Sequence, residues 1–195
     1  MAKLVKRPST VLYPVPAVLV TCGTGDQANI ITLAWVGTIC SDPPMVGISI
    51  RPSRHSHDLI SQAGEFVVNI PTADLVAQVD YCGQVSGRDV DKWAACGFTP
   101  EPGSAVATPL IAQCPVNLEC ELARIIPLGA HDLFVGEIVA VQLDEAILDD
   151  RGRIDYTKAR PFAYLGGQYR GIGEFLGQYG DWREGPLKVR RFVSS

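Results

Sequence analysis

Short apolar runs recur along the chain, each broken by turn-forming residues. AVLVTC (17–22), NIITLAWVG (29–37), MVGISI (45–50), EFVVNI (65–70), VNLECELARII (116–126) and LFVGEIVAVQL (133–143) are rich in Val, Ile, Leu, Phe or Thr. Bounded by Gly, Pro, Asp or Ser, such runs predict strands. In VNLECELARII, Val116, Leu118, Cys120 and Leu122 fall on one face and Asn117, Glu119 and Glu121 on the other. That alternation predicts a half-buried antiparallel strand with its polar face open. TGDQ (24–27) and SDPP (41–44) carry turn chemistry and predict hairpins.

Helical signals are fewer. PTADLVAQVDYCG (71–83) offers Thr72 as a cap, Asp74 in the first turn, and Leu75, Val76 and Val79 at helical spacing. RPSRHSHDLI (51–60) reads as a strand turning into a short helix, with Ser53 or Ser56 as the N-cap. SGRDVDKW (86–93) reads as a charged loop, and the glycine-rich YLGGQYRGIGEFLGQYG (164–180) as a loop region that packs on something. Closely spaced strands with few helices between them predict a mainly β fold, a closed or nearly closed antiparallel barrel.

The 195 residues suit one domain with appendages, and 47% hydrophobic with 19% charged residues describes a globular chain. Seventeen basic residues against twenty-one acidic ones give a net charge of −4, which argues against nucleic acid as a partner. VLYPVPAVLV is short and broken by two prolines, so neither a membrane span nor a signal peptide is expected and the cytoplasm is the expected location. Six cysteines (22, 40, 82, 96, 114 and 120) are widely spaced without a CxxC, which argues against a zinc ribbon or a thioredoxin-type pair. Most are expected to be reduced core residues, with Cys40 beside a turn.

RPSRHSHDLI raises the functional question. A helix start carries partial positive charge and favours Asp or Glu, yet Arg51, Arg54, His55 and His57 crowd this one. A bound anion, above all a phosphate, would resolve the conflict through helix N–H groups, Ser53 or Ser56, and the forks of Arg51 or Arg54. The plain alternative is a surface helix start with scattered ion pairs. GTGDQA (23–28) matches a dinucleotide-binding pattern, but β-branched NIITLAWVG follows instead of a helix, so a hairpin turn is the better reading. His55, His57 and Asp58 lack further metal ligands nearby, and there is no GxSxG elbow for a hydrolase.

ANIITLAWVGTICSDPPMVGISIRPSRHSHDLI (28–60) resembles the flavin reductase-like family, whose domain is an FMN-binding split β-barrel, antiparallel and Greek-key-like. The likeness continues through GEFVVNIP (64–71) and GAHDLFVGEIVAV (129–141), where Ala130 departs from the family's G-D-H stretch but His131 keeps its place. It covers about residues 10–145, leaving 146–195 as an extension over the site or the dimer partner. The branch most resembled is the flavoredoxins, FMN proteins that carry electrons.

The resemblance implies an FMN site drawn from Asn29, Thr32, Ala34, Trp35, Thr38, Cys40, Ser49, Arg51, Ser53, Arg54, His55, Ser56, Lys92, His131 and Tyr164. Arg51–Ser56 would meet the phosphate. Trp35 and Tyr164 would stack on the flavin ring. Asn29, Thr32 and Thr38 would serve its pyrimidine edge, and Lys92 or His131 would supply a cation where reduction gathers negative charge. The plain readings are that Trp35 is core and Lys92 a solvated loop lysine. The resemblance also implies a homodimer, with a redox partner protein or NAD(P)H as electron donor. Three functions stand open: an FMN electron carrier, an NAD(P)H-dependent flavin reductase using FMN as substrate, and a non-redox flavin or phosphometabolite-binding module.

Overall fold

The computed structural model describes residues 2–177 and 179. Seven strands form one sheet: β2 (Val18–Cys22), β3 (Asn29–Leu33), β4 (Val36–Ser41), β5 (Pro44–Ile50), β6 (Glu65–Ile70), β9 (Val116–Pro127) and β10 (Asp132–Leu143). Their order is β3-β2-β6-β9-β10-β5-β4, and every pairing is antiparallel. The predicted run 29–37 is two strands, broken at Ala34 and Trp35. The break has a geometric cause. β3 and β4 occupy opposite ends of the sheet order, so the sheet must curl until two residues can join its two edges. The seam is marked by the Ser49 N–H, which donates to the Trp35 carbonyl at 2.9 Å.

The curled sheet encloses one core. Val18, Val20 and Cys22 of β2 meet Ile31 and Leu33 of β3, Ile48 and Ile50 of β5, and Phe66 and Phe134. Helix α1 (His55–Ala63) adds Leu59 and Ile60 to this core and ends at Gly64, whose φ of 69° is a left-handed conformation that glycine adopts readily. The alternate residues of β2 and β3, Leu19 and Ile30, face a second apolar layer with Val79, Cys82, Phe98 and Ile111. α2 (Val76–Gln84) and α3 (Lys92–Cys96) belong to that layer. The 71–83 expectation is realised as a short 3-10 turn, Ala73–Leu75, followed by α2, and the Thr72 side chain caps nothing.

Two further small sheets lie outside the barrel. β7 (Pro100–Glu101) pairs with β8 (Leu110–Ile111). β1 (Val15–Pro16) pairs with β11 (Phe162–Leu165), which pairs with β12 (Gln168–Gly171), and α4 (Tyr156–Ala159) precedes them. The segment expected as a loop therefore begins as a hairpin. Gly166 and Gly167, at φ 53° and 96°, make its two-residue turn. Residues 178 and 180 of that segment, and 180–195 of the expected extension, lie outside the described residues. Among the described residues no helix is long and apolar enough to cross a membrane.

The polar face expected to be open on β9 is open at Glu121 but covered at Asn117 and Glu119. Glu119 is fully buried and Asn117 nearly so, because residues 104–111 lie over them. Glu119 accepts hydrogen bonds from the backbone N–H groups of Ser104, Ala105 and Val106, from the Ser104 hydroxyl, and from the Gln142 amide. Burial pushes its carboxyl pKa up, but these donors outweigh burial and hold it at about 2. Asn69 ties the same layer down, bonding Leu19, Thr21, Ile111 and Asn117.

A carboxylate whose pKa is depressed on folding stabilises above its unfolded value, near 4.5, and loses that contribution as pH falls toward about 2. Glu119→Gln puts a donor where five groups donate, and is expected to cost about 3 kcal/mol by urea unfolding at neutral pH. The variant's deficit should shrink steadily as pH is lowered from about 4.5 to about 2.

Candidate functional site

α1 begins at the end of β5, and its start differs from the sequence expectation. Arg54, not a serine, is the N-cap residue, at φ −78° and ψ 136°, and no side chain caps the helix. Ser56 is buried inside the first turn, where its hydroxyl accepts from Asn29 Nδ2 at 2.9 Å, so it is already committed across the seam. Ser53 is exposed, and its carbonyl accepts from Arg88 Nη1 at 3.2 Å. Among the described residues no side chain caps the first amides of α1, the His57 N–H donates to the Arg54 carbonyl at 3.0 Å, and Arg51 and Arg54 beside them are both exposed.

Two narrow clefts flank this helix start. One, about 160 Å³, is lined by Asn29, Ser53, Arg54, His55, Ser56 and Lys92 together with Ser86 and Gly87. The other, about 170 Å³, is lined by Thr32, Ala34, Trp35, Ser49, Arg51, Arg54 and His131. Ile31 and Arg54 belong to both, so one guanidinium stands where the clefts meet. Three expected site residues lie elsewhere. Thr38 is exposed on the edge strand β4, and Cys40 sits beside a β4 bulge with its thiol donating to the Asp42 carbonyl at 3.4 Å. Tyr164 reaches Trp35 only through Tyr13, whose ring centroid is 6.3 Å from Trp35 and 6.0 Å from Tyr164.

Lys92 is not a solvated loop lysine. It opens α3, is 4% exposed, and its Nζ donates to the carbonyls of Ile30 at 2.7 Å and Cys82 at 2.8 Å. Asp91 sets this position by accepting from the N–H groups of Trp93 and Ala94. Burial pushes the Lys92 pKa down, partly offset by the neighbouring thiols. Two of its three donors are committed to backbone carbonyls.

Other contributors were hidden in the sequence. Arg88 bonds Asp58 at 3.2 Å as well as the Ser53 carbonyl, tying the 86–93 loop to α1. His57 turns away from His55 and meets Asp132 at 2.8 Å, edge-on to Phe134, which anchors the helix start to β10 beside His131. Gly87 lies so close to Asn29 that an added Cβ would come within 2.0 Å of Asn29 Oδ1. A third, larger cleft of about 1230 Å³ shares Asn29, His55, Gly87 and Lys92 with the smaller one and extends past Asp26, Arg88, Asp89 and Trp93. Arg88 sat in a segment already marked by its charge, whereas nothing in the sequence singled out Tyr13 or Asp132.

The fold is the antiparallel split barrel of flavin proteins. The chain belongs to the flavin reductase-like domain family, whose model matches residues 10–173 and so reaches past 145 through β11 and β12. It is 36% identical over 145 residues to an uncharacterized protein of Archaeoglobus fulgidus, covering 74% of this chain and 81% of that one. Among solved structures it is similar to the flavoredoxin of Desulfovibrio vulgaris, at 35% identity and a TM-score of 0.86, covering 92% of this chain and 98% of that one. It is also similar to an FMN-binding protein from Thermus thermophilus, at 29% identity and a TM-score of 0.76, covering 91% and 98%.

Lys92→Met keeps the apolar stem but strands two carbonyls. It is expected to lower stability by about 2 kcal/mol in urea unfolding, while Arg88→Met, at a half-exposed pair, stays within about 0.5 kcal/mol.

Proposed function

We propose that the chain is an FMN-binding flavoprotein that passes electrons, with the FMN phosphate at the start of α1 and the ring in the adjoining cleft at the barrel seam. The observation that carries this reading is Arg54, which borders both clefts beside helix amides that no side chain caps. The donor set suits a phosphate dianion: exposed guanidinium forks, a hydroxyl at Ser53 and helix-start N–H groups without a side-chain cap. The likeness to flavoredoxin and to the Thermus FMN-binding protein supports the same ligand.

Bound FMN would supply the capacity to take up and release electrons. The chain's own residues bind, orient and shield. Arg51 and Arg54 hold the phosphate end. Trp35, backed by Tyr13, presents an aromatic wall to the ring cleft. Ser49 and His131 border that cleft as its polar groups, with Thr32, whose hydroxyl is engaged by the Val79 carbonyl. Lys92 places its amino group behind β3, close to the phosphate-side cleft, where burial lowers its pKa. The electron donor in this reading is a redox partner protein or NAD(P)H.

The reading includes a homodimer. Leu133 registers with Ile126 on β9, and both Leu133 and Ile39 flank Gly47, so apolar side chains of β4, β9 and β10 share one outer face. Ile39 is 52% exposed and the nearby Leu128 63%, which a second copy of the chain would cover. In sedimentation the chain is expected as a dimer, and Ile39→Asp with Ile126→Asp should shift it to monomer.

The phosphate placement has a direct test in two ligands. Arg51→Ala with Arg54→Ala should raise the Kd for FMN by roughly 100-fold or more, at about 1.5–3 kcal/mol per lost charge-assisted bond, and leave riboflavin nearly unchanged. Equal weakening of both ligands would show the phosphate to be elsewhere. Gently purified protein should be yellow and keep its flavin through gel filtration. Colourless protein that oxidises NAD(P)H only with added flavin would favour a reductase using FMN as substrate.

A further inference from the structure

Cys82 and Cys96 lie fourteen positions apart and share no motif, yet the packing of α2 on α3 brings their sulfurs to 3.6 Å. Cys82 is buried near the end of α2 and Cys96 is half-buried as the last residue of α3. The segment between them carries Gly87, Arg88 and Lys92, which line the clefts described above. Lys92 is linked to both ends of it. Its ammonium holds the Cys82 carbonyl, and it sits one helical turn before Cys96. That ammonium is also within electrostatic reach of both thiols, where a positive charge favours the thiolate that exchange chemistry requires.

We propose that Cys82 and Cys96 form a reversible dithiol–disulfide site that, by exchange with a low-molecular-weight disulfide, closes residues 83–95 into a loop fixed against the ligand clefts. This goes beyond the flavin reading and does not depend on it. The half-buried Cys96 attacks first: its thiolate displaces one half of the small disulfide as a thiol and keeps the other half as a mixed disulfide. The Cys82 sulfur then attacks Cys96 Sγ, the second half leaves as a thiolate, and that thiolate takes up the Cys82 proton. In net terms two protein thiols are oxidised and one small disulfide is reduced to two thiols.

Access and acidity assign the order. Burial first, then the neighbouring Cys96, push the Cys82 pKa up to about 12, so Cys82 does not initiate. Once Cys96 is in a mixed disulfide, its repulsion of a Cys82 thiolate is gone, and the second step is favoured by proximity. Cys114, in the same apolar layer, is fully buried, with its pKa pushed up to about 12 by burial, and stays a thiol. The product ties together the two ends of the loop that carries Arg88 and Lys92, and it stabilises the fold because a cross-link removes conformational freedom from the unfolded chain.

The test uses the flavin-free full chain treated with glutathione disulfide, so its outcome is separate from that of FMN binding. Thiol titration under denaturing conditions should fall by two per chain, and peptide mapping should join Cys82 to Cys96. Dithiothreitol should restore both thiols, and oxidation should raise Tm by about 5–10 °C. Cys96→Ser, and independently Cys96→Ala, should show neither the loss of two thiols nor the Tm rise. Glutathione retained on Cys96, a cross-link through Cys114, or an oxidised form no more stable than the reduced one would each overturn the proposal.

Discussion

The structure rests on a closure constraint. Two strands joined by only two residues stand at opposite ends of a seven-stranded sheet, so the sheet has to curl back on itself. Two of the clefts gather where that closure is incomplete. The turn at Ala34 and Trp35 exposes an aromatic ring at the seam, the end of β5 arrives beside it, and α1 starts there because the chain must cross the barrel end to reach β6. The narrow clefts are what remains between elements that closure brings together without letting them pair.

The second layer is held by polar groups as much as by apolar contact. Glu119 gathers the 104–106 backbone, Asn69 gathers Ile111 and Asn117, and Lys92 fastens α2 to β3. Each is buried with hydrogen-bond partners, two for the three donors of Lys92, the condition under which burying polar groups need not destabilise a fold. They also set geometry. An apolar contact tolerates sliding, whereas Lys92 spanning two carbonyls fixes α2 relative to β3, which lines the smaller cleft.

Local patterns were legible in the sequence; what depended on coverage was not. The apolar runs marked six of the seven barrel strands, because strand burial imposes a short-range period, while β4 was merged into the 29–37 run. The cationic start of α1 was legible because it contradicts helix electrostatics, and most residues named around it do border the two clefts. Asn117 and Glu119 read as solvent-facing, since alternation reports two faces but not whether a distant loop covers one of them. Lys92 stood between a site cation and a solvated loop lysine for the same reason, its partners Ile30 and Cys82 being long-range in sequence or set by helix packing. Thr38 and Cys40 followed the seam residues in sequence, but the β4 strand carries them away from the clefts along its exposed edge.

The split leaves the sheet with two unequal margins. Along β3 the outward carbonyl of Ile30 is taken by Lys92, and that of the preceding Ala28 by Trp93 Nε1, so side chains stand in for the missing neighbour strand. Among the described residues no side chain covers β4 in this way, and it carries the exposed Ile39. A bare sheet margin templates further pairing, so any filament or amorphous aggregate that this chain seeds should grow outward from β4 and leave β3 untouched.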